Sequence, residues 1–225
     1  IYSAILLSME HREYHSAYLI TGCDTLAMVL FELNEDIQMS IFLSVHGMYR
    51  PANVLLRRWL DTTINALSFD IDLKEHKDKR PAKYDVILEN GWNWLMTPIK
   101  SVTFKNKINK KNFIDDKTEK IAKQLLEEKP YFRQSSFKEY ICELFDALSK
   151  SAHYSGKSTF FDNQAEYNRK HFEDWYLTLI QINELCNILT LLKFPEMLTL
   201  NKNHKERFPT LEGNQMTRLI KLLEI

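Results

Sequence analysis

His153 is the residue of this sequence best suited to catalysis, and it is surrounded by hydroxyl side chains in the segment SKSAHYS. An imidazole exchanges a proton near neutral pH, so His153 could serve as a general acid or base. Ser149, Tyr154 and Ser155 could supply hydrogen bonds to a substrate beside it. A histidine that caps the last carbonyl groups of a helix is the structural alternative, and both interpretations stay open.

Three arginines could form a basic group: Arg57 and Arg58 follow Arg50 by seven and eight residues. On one continuous helix this spacing predicts a basic stripe, and the guanidinium group suits bidentate contact with phosphate. Pairing with acids such as Asp61, which follows Arg57 by four residues, is the structural alternative. A phosphate site would require the arginines to face a cleft shared with another helix.

Patterns for other kinds of chemistry are incomplete. His11 and His15 have a spacing that a metal could use, but no third ligand pattern accompanies them, so we expect neither metal nor cofactor. The GKS triplet at residues 156–158 lacks the upstream glycine of a phosphate-binding loop. Three cysteines that are far apart predict reduced thiols in a cytoplasmic protein rather than disulfides or a zinc site.

Composition limits the partners that charge alone can attract. Thirty basic and thirty acidic residues cancel, so no global field draws in nucleic acid or an anionic membrane, although a local basic groove stays open. The most apolar window, residues 177–192, contains polar side chains and is too short to span a bilayer. Six aromatic residues could stack on bases, but burial in a core is the favoured interpretation. They are Trp92, Trp94, Phe160, Phe161, Trp175 and Tyr176.

The elements that must position these residues are helices. Only five glycines and six prolines supply turns, and apolar residues recur every three or four positions, which predicts an all-α bundle in one domain over residues 1–225. The predicted helices cover residues 3–33, 35–69 with a break near Gly47, 116–128, 137–156 with its last residues running into a turn, 164–198 and 211–225. Charged connections are predicted at residues 70–83 and 105–117.

The helix that leads to His153 has the clearest pattern. Ile141, Leu144, Phe145 and Leu148 share one face of residues 137–152, and acidic side chains with Lys150 occupy the opposite face. Ser135 or Ser136 with Glu139 predicts a capping box at its start.

Two segments carry a family resemblance over roughly residues 37–158. GMYRPANVLLRRWLDTTINAL and YICELFDALSKSAHYS resemble two helices of uncharacterised bacterial proteins related to the HEPN superfamily. The resemblance implies a helical bundle, dimerisation, and metal-independent ribonuclease activity in bacterial defence or stress systems. His153 would be the HEPN-type histidine, with Arg57 or Arg58 as its basic partner. Active members carry an arginine four to six residues before the histidine, where this sequence has none.

Two functions therefore remain open at the level of sequence. In the first, a HEPN-like ribonuclease uses His153 as acid or base and Arg57 or Arg58 to stabilise the phosphate. Arg50, Ser149, Tyr154 and Ser155 would contact the RNA. In the second, the chain is a non-catalytic helical interaction or regulatory module. The expected partners are RNA, a second copy of the chain or another protein, and no membrane.

Overall fold

The structure is a computed structural model, and it describes residues 24–75, 100–152, 166–195 and 221–222 of the 225-residue chain. Six helices and no strand occur in these ranges, so the predicted all-α class is confirmed. They are α1 (Asp24–Val45), α2 (Tyr49–Glu75), α3 (Ser101–Ile108), α4 (Asp116–Leu126), α5 (Phe137–Ala152) and α6 (Arg169–Lys193). None of the helices in the described ranges is long and apolar enough to cross a membrane.

Helix α2 is the centre of the bundle. It contacts α1, α5 and α6, and every residue from 59 to 68 is buried. The contacts on several sides explain why polar residues of α2, which an amphipathic surface helix would expose, lie in the interior. These buried polar residues are Asp61, Thr62, Thr63, Asn65, Ser68 and Asp70.

The turn between α1 and α2 is held by the chain that precedes α6. The predicted break near Gly47 is confirmed, because α1 ends at Val45 and α2 begins at Tyr49. The predicted helix end before Asn34 is wrong, because α1 continues through this position. Gly47 has φ 76°, and a Cβ there would lie 2.7 Å from the backbone nitrogen of Glu166, so glycine is required. Tyr49 reinforces the contact, since its hydroxyl donates to the carbonyl oxygen of Asn168 at 2.8 Å.

The charged connection predicted at residues 70–83 begins as helix instead. Helix α2 runs to Glu75, and Asp70 is fully buried rather than exposed. Its two carboxylate oxygens accept hydrogen bonds from the backbone N–H groups of Thr25 and Leu26, each at 3.0 Å. These amides lie in the first turn of α1, where they lack partners within the helix and where a negative charge is favourable. The Asp70 carboxylate is therefore buried because it caps the start of α1, which is distant from it in the sequence.

The connection predicted at residues 105–117 is also shorter than expected. Residues 105–108 belong to α3, and only residues 109–115 form a turn. Phe104, Ile108 and Phe113 are buried, so apolar anchors on both sides of the lysine-rich stretch hold it against the bundle.

Helix α4 agrees with its predicted bounds to within two residues, and α5 begins at the predicted Phe137. The predicted capping box is confirmed in modified form. Ser136 Oγ accepts from the Glu139 N–H at 3.1 Å, while the Glu139 carboxylate accepts from the N–H and the hydroxyl of Ser135. Local cap residues therefore define the start of α5.

Helix α6 is shorter than predicted, since it begins at Arg169 and ends before Pro195. Trp175 and Leu189 are buried in the bundle, whereas Tyr167 and His171 at its start are exposed. The predicted helix portions at residues 3–23 and 211–220 lie outside the described residues.

Candidate functional site

A row of polar side chains follows one face of the buried helix α2. Arg57, Asp61 and Asn65 stand at intervals of four residues, so they lie one above another along the helix, and we call them the polar row. Asp61 and Asn65 are 2% and 5% exposed. Because buried polar groups are costly unless they are paired, the partners of the row define the site.

Arg57 lies where α2 meets α5. Its Nε is 3.6 Å from Oδ2 of Asp61, and its guanidinium carbon is 5.0 Å from the centre of the Phe145 ring. The Arg57 side chain is only 12% exposed. Both the ion pair and the cation–π contact strengthen when water is excluded, so this arginine stabilises the contact between the two helices.

Lys107 of α3 lies at the other end of the polar row. Its ammonium group donates a hydrogen bond to Oδ1 of Asn65. Burial lowers the pKa of Lys107 and the charge of Lys110 lowers it further, while Asp72 and Asp61 oppose that change. A partly desolvated cation is therefore balanced by carboxylates of α2.

Helix α3 is fixed against α5 by two adjacent residues. The rings of Phe104 and Phe145 stack with centroids 3.9 Å apart and planes 15° apart. Lys105 Nζ lies 2.7 Å from Oδ2 of Asp146, and this hydrogen bond raises the pKa of Lys105. Phe145 thus lies between Phe104 and Arg57, which joins α2, α3 and α5 in one cluster.

The structure places the sequence-predicted arginines in different environments. Arg58 extends towards α1, where its Nη1 lies 3.1 Å from Oδ1 of Asp36. Adjacent helix residues point about 100° apart, so Arg57 and Arg58 face different neighbours. Arg50 is half-buried in the first turn of α2. The three arginines do not converge on one cleft within the described residues.

The hydroxyl of Ser149 is used inside α5. Its Oγ donates to the backbone carbonyl of Phe145 at 2.8 Å, one turn earlier in the helix. His153, Tyr154 and Ser155, which complete the predicted site, lie outside the described residues. Ser151, two residues after Ser149, likewise donates its hydroxyl to the carbonyl of Ala147 at 3.2 Å, so both serines are used by the helix itself.

Metal and thiol chemistry find no support in the described ranges. No group of three or more potential metal ligands occurs there, and His11 and His15 lie outside them. Cys142 and Cys186 are free, and burial raises the pKa of the Cys186 thiol to about 12, which disfavours the reactive thiolate. Among the six aromatic residues predicted to lie in the core, Trp175 is buried and its indole N–H donates to Ser40 Oγ at 3.1 Å. Tyr176 is 51% exposed, so the core prediction is wrong for this residue.

The roles of Asp61, Asn65 and Lys107 as one cluster were missed at the level of sequence. Polar residues repeated at four-residue intervals inside an apolar helix are the signal that could have revealed the row on α2. Lys107 gave no comparable signal because it lies 42 residues from Asn65 and in a stretch predicted to be a loop.

The cluster at the junction of three helices holds the cations Arg57 and Lys107 near the carboxylates of Asp61 and Asp72, so its charges balance, which suits structural pairing. Fold and site together define an all-α bundle with a buried polar row. Comparison with protein-family models, curated proteins and solved structures gave no match.

Proposed function

We propose that this chain is a HEPN-like helical protein that acts by binding, as an interaction or regulatory module, in a bacterial defence or stress system. The placement of the α2 arginines carries this proposal. Arg57 is 12% exposed beside Asp61, and Arg58 is paired with Asp36 on another side of the helix. An arginine that binds phosphate must turn its guanidinium group towards the ligand, and for Arg57 that would separate a buried charge pair at a cost of several kcal/mol.

The outer face of α1 supports a binding role. No Asp, Glu, Lys or Arg occurs from residue 37 to residue 49, although four large apolar side chains of this stretch are exposed. We call these four residues the α1 surface: Met39, Ile41, Phe42 and Val45, which are 43–53% exposed. An apolar surface without charge is typical of the centre of a protein interface. We propose a second copy of the chain as its partner, in agreement with the dimers that the family resemblance implies.

A ribonuclease is the second candidate, and one contact favours it. The Arg57 guanidinium carbon is 5.0 Å from the ring of Phe145, on the helix whose last described residue, Ala152, precedes His153. At 1.5 Å per residue, Phe145 and Ala152 are separated by about 10 Å along α5. In this candidate, Arg57 would leave Asp61 to stabilise a phosphate while His153 transfers the proton of an RNA 2′-hydroxyl.

RNA cleavage in EDTA distinguishes the two candidates. The assay compares wild type with His153→Ala and Arg57→Met, and with Arg169→Met as a control, because Arg169 pairs with Glu173 on the exposed start of α6. The binding module predicts no cleavage above background by any of the four proteins. Cleavage that disappears in His153→Ala but persists in Arg169→Met, at unchanged helicity, would overturn this function and establish the ribonuclease.

A further inference from the structure

The segment from residue 100 to residue 114 is basic in a chain of zero net charge. It contains Lys100, Lys105, Lys107, Lys110 and Lys111 and no acidic residue. The first carboxylate that follows, Asp115, lies 3.0 Å from Nζ of Lys193 and is thus already paired. The segment therefore carries a local positive field that the total charge conceals.

Only part of this charge is balanced inside the protein. Lys105 pairs with Asp146, and Lys107 binds Asn65 near two carboxylates. The other three lysines are exposed and form no ion pair with any described residue. They are Lys100, Lys110 and Lys111.

The exposed lysines stand on an ordered framework. Ile108 and Phe113, which lie on either side of Lys110 and Lys111, are buried. The backbone carbonyl of Lys110 accepts hydrogen bonds from Phe113 and Ile114 at 3.0 and 3.2 Å. A turn held at both ends loses little conformational entropy when its side chains bind a ligand. Lys110 and Lys111 are thus displayed from a fixed backbone.

Neutral hydrogen-bond donors are also exposed in this segment. Asn106 and Asn109 are exposed three residues apart, on the side of α3 opposite the buried Phe104 and Ile108. Lysine ammonium and asparagine amide groups are both frequent donors to the phosphate oxygens of nucleic acids. We call this set the α3 lysine surface: Lys100, Asn106, Asn109, Lys110 and Lys111.

We propose that the α3 lysine surface binds the phosphodiester backbone of a nucleic acid without reading its sequence. Val102 is the only large hydrophobic side chain exposed on α3, and no aromatic ring of the helix is exposed, so base stacking is not part of this contact. A membrane-binding helix would present a broad apolar face beside its lysines, and α3 buries its apolar residues in the bundle. Repeated phosphates are the ligand that matches lysines spaced along a helix and turn.

The test measures fluorescence anisotropy with a labelled 20-base-pair DNA duplex and a single-stranded RNA of 20 nucleotides, from 25 to 200 mM salt. It compares wild type with Lys110→Gln/Lys111→Gln. The matched control is Lys138→Gln/Lys170→Gln, which removes the same charge from α5 and α6. Loss of two phosphate contacts should weaken binding by about tenfold or more at 100 mM salt and reduce the slope of log K against log salt by about 2.

The control variant should bind as wild type does, and both variants should keep the wild-type melting temperature. Three results would overturn the proposal. Wild type that shows no salt-dependent binding to either probe at 25 mM salt is the first. An equal loss in both variants is the second, since it would reflect total charge alone. Binding to phosphatidylserine vesicles but to neither nucleic acid is the third, and it would identify a membrane contact.

Discussion

Arg57 and Asp61 form a charge pair one helical turn apart inside the bundle. The Arg57 side chain is 12% exposed and that of Asp61 is 3% exposed, so both charges have lost most of their water. Such a pair contributes little net stability relative to apolar side chains of similar size, but either charge is expensive when it is left alone. Replacing one member of the pair should therefore cost more folding stability than the intact pair contributes.

Arg57→Met should destabilise the protein by about 3–5 kcal/mol because it removes the guanidinium group that lies beside the buried Asp61 carboxylate. The double variant Arg57→Met/Asp61→Leu should recover most of this loss. Urea unfolding followed by circular dichroism measures both changes. Arg169→Met is the matched control: its partner Glu173 is 60% exposed, so we expect a change of about 0.5 kcal/mol or less. Equal effects at the two arginines would contradict the buried-pair interpretation.

At the scale of helices, the sequence predicted what local signals determine. The bounds of α4 and the start of α5 were predicted to within two residues because apolar periodicity and adjacent caps, Asp115 and Ser136, determine them. The end of α2 was not predicted, because Asp70 looks like a surface residue until it meets the first turn of α1. Asp70 lies 45 positions after Thr25 and 44 positions after Leu26, so local sequence patterns do not reveal this contact.

The start of α4 should make stability depend on pH. Burial raises the pKa of Asp115, but hydrogen bonds from Thr118 and Lys193 outweigh this effect and hold it below its ordinary value of 3.8. A carboxylate with a lowered folded-state pKa stabilises the protein above the unfolded-state pKa, and this contribution disappears as pH falls through the folded-state pKa. The acid form accepts these hydrogen bonds poorly.

Asp115→Asn keeps a residue that caps helices well but removes the charge that faces Lys193. We expect wild type to be more stable than the variant by about 0.5 kcal/mol at pH 7, because Asp115 is 45% exposed and solvent screens its pair with Lys193. The difference should shrink towards zero below pH 4. Urea unfolding at several pH values between 7 and 2.5 measures it. A difference that stays constant over this range would show that the charge of Asp115 is not its source.

For the whole molecule, the all-α class was predictable and the candidate site was not. Helical class follows from composition and periodicity along the entire chain, so single errors do not change it. The site depends on which helices become neighbours: Lys107 reaches Asn65, and Arg57 reaches Phe145, across gaps of 42 and 88 positions. One sequence contains no direct record of such pairs.

The α1 surface predicts the state of association. Wild type should sediment as a dimer at micromolar concentration, and Phe42→Lys should dissociate at least tenfold more readily because it places a charge in an apolar interface. Val102→Lys is the matched control, since Val102 is 71% exposed on α3 and outside the α1 surface. Analytical ultracentrifugation measures all three proteins. A monomeric wild type, or equal dissociation of both variants, would argue against a second copy as the partner.

The hydrogen bonds from the backbone amides of Thr25 and Leu26 to the Asp70 carboxylate have a consequence for hydrogen exchange. Backbone amides in the first turn of a helix usually exchange quickly with deuterium, because no earlier turn protects them. Here the two amides are covered by a carboxylate that belongs to α2. They can exchange only when α1 and α2 part at that end, so their protection reports the opening of the helix pair rather than fraying of α1. Two amides at a helix start thereby become probes of the bundle's cooperativity.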